Sequence, residues 1–293
     1  MAGAKEIKTR MKSVAETEKI TNAMYLMSST KVSKAKSELA KTKPYFDAIA
    51  AEIKRIFKTV DRFESKYFYP EDGFAGDAPY GYLAITADKG LAGAYNHNII
   101  KQVERAVTEH DNSRLYVIGD YGREYFRAHG RAFEEDFTFS AQRPTLSRSR
   151  KIERELLSAF DRGEFSKLFV VYTDVTPGAE PEVRTARILP FHSSEFAGEK
   201  EKRVAFEFSP SPEAVLQNIV PSYVAGFIYS ALVDSFCAEQ NARMNAMKSA
   251  DDNARSMLDD LRREYNHVRQ SVITREITEI ASGAKYRRKD NQE

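Results

Sequence analysis

Two long segments, one at each end of the chain, lack the residues that stop helices and carry apolar side chains at heptad spacing. From about Lys5 to Phe63 there is no glycine and a single proline, Pro44. Ile7, Met11, Val14, Tyr25, Val32, Ala35, Leu39, Phe46, Ile49, Ile53, Ile56 and Val60 follow the alternating four-three spacing of a coiled-coil seam. Glu18, Thr21, Ser28 and Thr42 fall on the same seam and interrupt it. A helix of that extent is about 85 Å long at 1.5 Å per residue. No small domain can bury such a helix, so its seam needs a second helix.

The other end of the chain supplies one. From about Pro212 to Lys285 the helix breakers Pro221 and Gly226 both lie near the start. Ala238, Ala242, Ala246, Ala250 and Ala254 recur every four residues, and small residues in series let two helix axes approach closely. Leu258, Leu261, Tyr265, Val268 and Val272 continue at heptad spacing, with Ile273, Ile277 and Ile280 as a neighbouring stripe.

The middle of the chain has another pattern. Tyr82–Thr86, Leu115–Ile118 and Leu168–Tyr172 are short apolar runs of the kind that form buried strands. Helical stretches near Gly93–Thr108, Tyr121–His129 and Ser147–Asp161 alternate with them, which predicts an α/β layer with a mostly parallel sheet. Val183–Leu189 and Arg203–Phe208 read as later edge strands. The Pro/Gly/Asp-rich stretch Pro70–Gly81 and the turn Ser209–Pro212 are linkers. The expected fold is therefore α/β: a long antiparallel coiled coil of the N- and C-terminal helices with an inserted Rossmann-like α/β domain. Its boundaries are 1–63, 64–209 and 210–293. Antiparallel follows because both helices join the same domain.

The 293 residues are 42% apolar and 30% charged, a composition suited to water and to long helices. A net charge of +2 makes no case for nucleic acid. The one cysteine, Cys237, excludes an internal disulfide and any CxxC metal site. No signal-like apolar core opens the chain, and no run approaches the roughly 18 uninterrupted apolar residues of a membrane span. Membrane association is expected to run through partners.

Four features invite a chemical reading. Thr86–Asn96 follows a strand and opens a helix, but it is neither GxxxxGK[ST] nor GxGxxG. It reads as a strand-to-helix turn in which Gly90 and Gly93 allow tight backbone passage. The histidines, at 97, 110, 129, 192 and 267, show no metal-ligand spacing, and no Ser/His/Asp set can be nominated. Lys31, Lys34, Lys36, Lys41 and Lys43 form a basic stretch, open to three readings: a nucleic-acid contact, a solvated helix face as the commonest explanation, or a dock for acidic loops of a protein partner. Arg269–Glu276 mixes polar groups with helical periodicity near the chain end. No cofactor or metal site and no catalytic residue is expected.

Both ends of the chain resemble the gamma subunit family of bacterial F-type ATP synthases. At the N-terminus the resemblance is carried by Met1–Ile7, Ser13-Val14, Thr17, Lys19–Thr21 and Ala23-Met24. The C-terminal resemblance runs through Ala242-Arg-Met244, Ala246-Met247, Asp252–Ala254, Tyr265-Asn266, Arg269-Gln270, Ile273-Thr274, Glu276–Ile280 and Ser282–Ala284. The loop at 86–96 is similar to that family's Ser-Asp-Arg/Lys-Gly-Leu-Cys-Gly-Gly-x-Asn, with Ala92 and Ala94 as departures. Leu26–Lys31 stands where Met-Val-Ala-Ala-Ser-Lys is common. Ser209 stands where an acid is usual, which removes one expected group from contact with the membrane ring. The cysteine pair of the chloroplast form is absent, so thiol regulation is not expected.

The resemblance implies a non-catalytic rotor, the central stalk that couples proton or sodium flow to ATP synthesis and hydrolysis on the beta subunits. A non-rotary coiled-coil scaffold or tether is the alternative. Implied partners are the alpha and beta subunits (a three-plus-three hexamer), the epsilon subunit and the c-ring, with no nucleic acid and with membrane contact only through the c-ring. The implied location is the cytoplasmic face of the bacterial cell membrane, as a peripheral protein. By similarity, Arg269, Gln270 and Thr274 are expected to meet a beta-subunit catch loop, and Met24 and Arg243 the beta lever region. Ile273, Ile277 and Ile280 are expected to face an apolar sleeve.

Overall fold

A computed structural model describes residues 2–59, 67–68, 79–175, 180–191, 208–209 and 211–290. Helix α1 (Ala2–Thr59) is followed by strand β1 (Tyr80–Ile85), α2 (Tyr95–Glu109), β2 (Ser113–Ile118), α3 (Asp120–Ala128) and α4 (Leu146–Asp161). Then come β3 (Lys167–Asp174), β4 (Glu182–Leu189) and the last helix, α5 (Pro212–Asp290).

The seam of α1 is where its heptad spacing puts it. Each predicted seam residue from Ile7 to Ile56, the four polar ones included, is half-buried or buried. Val60 lies outside the described residues. The two threonines on the seam keep their hydroxyls satisfied inside the helix: Thr21 donates to the Glu18 carbonyl at 2.9 Å and Thr42 to that of Leu39 at 3.0 Å. Pro44 sits within α1 on the exposed side. Along α5, Ala254, Leu258 and Leu261 are buried and Tyr265, Val268 and Val272 half-buried.

Compactness divides the chain into two units: Met1–Met27 with Met244–Glu293, and Ser28–Arg243. Each long helix contributes to both. In the first unit Arg255 of α5 pairs with Glu18 of α1 at 3.1 Å and with its own neighbour Asp251 at 2.9 Å. In the second, Tyr229 packs on Phe46 with ring centroids 6.4 Å apart. Farther along, Cys237 lies within electrostatic reach of Lys36. Residue numbers rise on α1 as they fall on α5, so the helices are antiparallel there. The units differ from the chain segments 1–63, 64–209 and 210–293 because the inner parts of both helices fill the core under the sheet.

The sheet in the second unit has the order β2-β1-β3-β4. β1 pairs in parallel with β2 and β3, and β4 joins β3 antiparallel. Alternation of side chains along β1 explains the two-sided burial. Tyr82 and Ala84 face α2, joining Ile99 and Val103. Leu83 and Ile85 face the other way, into a cluster with Ile152 and Leu156 of α4, Ile53 and Ile56 of α1, and Leu216, Val220, Val224 and Ile228 of α5. That burial accounts for the apolar start of α5. Its best 18-residue window has a mean hydropathy of 1.3, membrane-like by composition, yet 61% of the window is buried within this chain. Positions 203–207 of the expected edge strand lie outside the described residues, and Phe208 is not in a strand.

Candidate functional site

The expected catch and sleeve residues all lie on the exposed end of α5. Ile273, Ile277 and Ile280 are 42%, 61% and 73% exposed, a solvent-facing apolar stripe produced by four-three spacing on a helix already using its other side for the seam. Gln270 and Thr274 share a face and line a shallow groove with His267, Ser271, Arg275 and Thr278. Arg269 does not join them. At about 100° per residue it stands about 140° around the helix from Thr274, with the isoleucine stripe between. The structure thus brings Gln270 and Thr274 together and sets Arg269 apart. His267, Ser271 and Thr278 extend the polar face. Their spacing of three, four or seven residues from the expected ones was legible from helical period alone.

Met24 is half-buried on α1. Its face carries Ile20 and Met27, exposed at 61% and 56%, at the same four-three spacing. The basic stretch Lys31–Lys43 is exposed, with Lys41 held by Glu38 at 2.7 Å.

The Arg243 side chain is turned into its own chain and is 7% exposed. One guanidinium nitrogen donates to Glu239 Oε1 at 2.6 Å, and the other to the carbonyls of Gly90 at 2.9 Å and Lys89 at 3.2 Å. The fork of an arginine suits this division between a carboxylate and two carbonyls. Glu239 is 1% exposed and also accepts from Gln240 Nε2 at 3.2 Å. Burial pushes its carboxyl pKa up, and the Arg243 charge works against that.

The loop that Arg243 grips is fastened from the other side as well. Asp88 Oδ1 accepts the backbone N–H of Ala141 at 3.0 Å and of Asp120 at 3.3 Å, while Oδ2 accepts the Ser140 hydroxyl. Thr86 donates to the Ile118 carbonyl at 2.7 Å and accepts the Gly122 N–H at 3.1 Å. Asn96 Oδ1 accepts the Ala87 N–H at 2.9 Å. Tyr95 donates to the Ile85 carbonyl at 3.1 Å, and full burial drives its hydroxyl pKa far above the usual range. Gly93 is left-handed at φ 53°, as a tight turn requires. Gly90 is not: a Cβ there would meet only Tyr121, at 4.0 Å. Leu91, 67% exposed, takes the second left-handed position at φ 61°. What Gly90 contributes is its carbonyl.

Among the described residues no cluster of three His, Cys, Asp or Glu side chains could hold a metal, and His192 lies outside them. Cys237 is buried, and burial pushes its thiol up to about 11.

Two long terminal helices, with a β2-β1-β3-β4 sheet inserted between them in sequence, define the fold of this chain. It is similar to a chain in the central stalk/c-ring structure of the Tetrahymena thermophila mitochondrial ATP synthase (TM-score 0.56, 19% identity, 79% of this chain and 99% of that one). It is also similar to a chain in the OSCP/F1/c-ring structure of the Euglena gracilis mitochondrial ATP synthase (TM-score 0.66, 13% identity, 97% and 94%). In sequence, the family model described as ATP synthase matches residues 3–285. The ATP synthase gamma chain of Acetivibrio thermocellus is 38% identical over 292 residues, covering 97% of this chain and 99% of that relative. The sodium ion specific gamma chain of Acetobacterium woodii is 31% identical over 296 residues, covering 95% and 97%. The chain belongs to the ATP synthase gamma chain family.

Proposed function

We propose that this chain is the central rotor subunit of a bacterial ATP synthase. It couples transmembrane proton or sodium flow to ATP synthesis and hydrolysis on the beta subunits, and does no chemistry itself. The observation that carries the reading is the full-length relation to gamma chains, which spans both heptad helices and the inserted sheet together. An asymmetric helical pair turning inside a ring of alpha and beta subunits favours a different conformation of each catalytic site at each angle, a population shift by differential contact. Arg269, Gln270, Thr274 and Met24 are the polar and apolar contacts offered to beta, and Ile273, Ile277 and Ile280 the bearing surface. The epsilon subunit and the c-ring complete the partners, and the membrane, on its cytoplasmic face, is reached only through that ring. The loop after β1 supports a non-catalytic role, since Asp88 and Asn96 are engaged by their own chain.

Co-expression with all the other subunits of the complex, followed by ATP-driven ion uptake into vesicles, tests this. Co-purification is expected, with uptake lost when this chain is omitted. Uptake unaffected by its omission sinks the reading.

A further inference from the structure

We infer that Arg243, oriented by Glu239, is the torsional joint of this chain: the point where the inserted α/β body is bolted to α5. Arg243 is thus a positioning residue rather than a partner contact. The inference deepens the rotor reading and rests on it.

Three observations converge. The first is place. Ala242, next to Arg243 on α5, packs against the cluster on the α2 side of the sheet, so α5 meets the α/β body at this point. The second is geometry. Apolar contacts resist separation but resist sliding weakly, because they are not directional. The Arg243 fork is directional. It fixes the azimuth of α5 through bonds of 2.9 and 3.2 Å to two backbone carbonyls, which cannot swing away as side chains can. Glu239 lies one turn back on the same helix and holds the guanidinium from behind at 2.6 Å. Removing its charge would leave the fork without its orienting partner.

The third observation is that the gripped loop is stiff. Asp88, adjacent to the Lys89 carbonyl, is tied to Ala141, Ser140 and Asp120. Arg148 continues the chain of bonds by donating to the Ser140 carbonyl at 3.0 Å. Load taken at Arg243 thus passes into α3 and α4 without crossing an exposed, unbonded segment. A buried ion pair is seldom maintained for stability alone, because desolvation offsets most of its attraction. A mechanical role gives this pair another reason.

Arg243→Lys is the discriminating variant. Lysine keeps a positive charge for Glu239 but has one nitrogen, which cannot serve the carboxylate and both carbonyls together. The assembled complex carrying it is compared with wild type for ions taken up per ATP hydrolysed, read with both a pH-sensitive and a sodium-sensitive dye. Amide exchange of Ala87 and Ala141, whose hydrogen bonds fasten the gripped loop, is followed in the same samples. The expected result is uptake per ATP reduced several-fold, with exchange at those amides faster by about tenfold, the ratio equivalent to 1.4 kcal/mol. Asp88→Asn loosens the same loop from its far side and is expected to move both readouts in the same direction. It carries the test if Arg243→Lys does not assemble. Wild-type uptake per ATP in the variant that assembles overturns the joint, whatever the exchange rate. A wild-type chain that fails to support ion uptake at all instead overturns the rotor reading.

Discussion

Gly226→Ala should destabilise this chain although alanine is the better helix former. An ideal Cβ at Gly226 would lie 2.7 Å from Cγ and Cε1 of Phe46 and closer still to Cδ1. Carbon atoms in good contact stand about 3.5–4.0 Å apart, so the ring or one of the helices must move by about 1 Å. The ring is hemmed by Tyr45 at 5.3 Å in edge contact and by Tyr229 at 6.4 Å. Cγ is the root of the ring, so a simple ring flip does not relieve the overlap. Overpacking of this kind costs about 1–3 kcal/mol. Replacing a mid-helix glycine returns about 0.8–1.0 kcal/mol. The net expectation is a loss of up to about 2 kcal/mol, read as a lower midpoint in urea unfolding. The sign should reverse in a Phe46→Leu background, where the alanine methyl has room and only the helix-propensity gain remains. A stabilised Gly226→Ala single variant, or no change of sign between the two backgrounds, refutes the argument.

The assembled complex should lose more ATP hydrolysis with Arg269→Ala than with Thr274→Ala, because a charged hydrogen bond is worth about 1.5–3 kcal/mol against about 0.5–1.5 for a neutral one. Gln270 and Thr274 should show coupling in a double-mutant cycle, and Arg269 and Thr274, on opposite sides of the isoleucine stripe, should be additive; steady-state turnover decides both. Gly119→Ala should destabilise by at least about 2 kcal/mol in denaturant titration, from positive-φ strain and overpacking together. Gly119 has φ 98°, and a Cβ there would lie 2.7 Å from the Ala87 carbonyl oxygen and nearer that of Thr86. Glu153, 6% exposed, has its carboxyl raised by burial from 4.5 to about 7, against the pull of Arg154 and Arg150. A raised folded pKa means the folded state holds its proton more tightly, so this contribution is full below about 4.5 and lost as pH climbs through about 7. Glu153→Gln should therefore stabilise the chain at pH 8 and lose that advantage by pH 4.5 in thermal melts.

Much of the architecture was legible because period maps directly onto burial. The four-three spacing from Ile7 to Ile56 marks the buried side of α1 residue by residue, and the polar members Glu18, Thr21, Ser28 and Thr42 follow the same geometry despite their chemistry. The runs around Leu83, Val117 and Val170 are strands because apolar side chains on both faces need cover on both. The exposed isoleucine stripe likewise follows from a second period beside the seam. Function was readable from the end motifs by resemblance, which periodicity could not supply.

Tertiary structure alone decided what depends on residues far apart meeting. Arg243 and Gly90 are 153 residues apart, and Asp88 and Ala141 are 53 apart. No local pattern predicts that an arginine in a family motif will turn inward and end on two carbonyls. The same holds for Gly90, whose role is its oxygen rather than its missing Cβ, and for Glu153, whose burial is set by how α4 docks. Helical period fixes which side of a helix a residue occupies. The fold decides what lies opposite, and for a polar group the opposite partner determines its energy, because a directional bond has no value until its acceptor is in place.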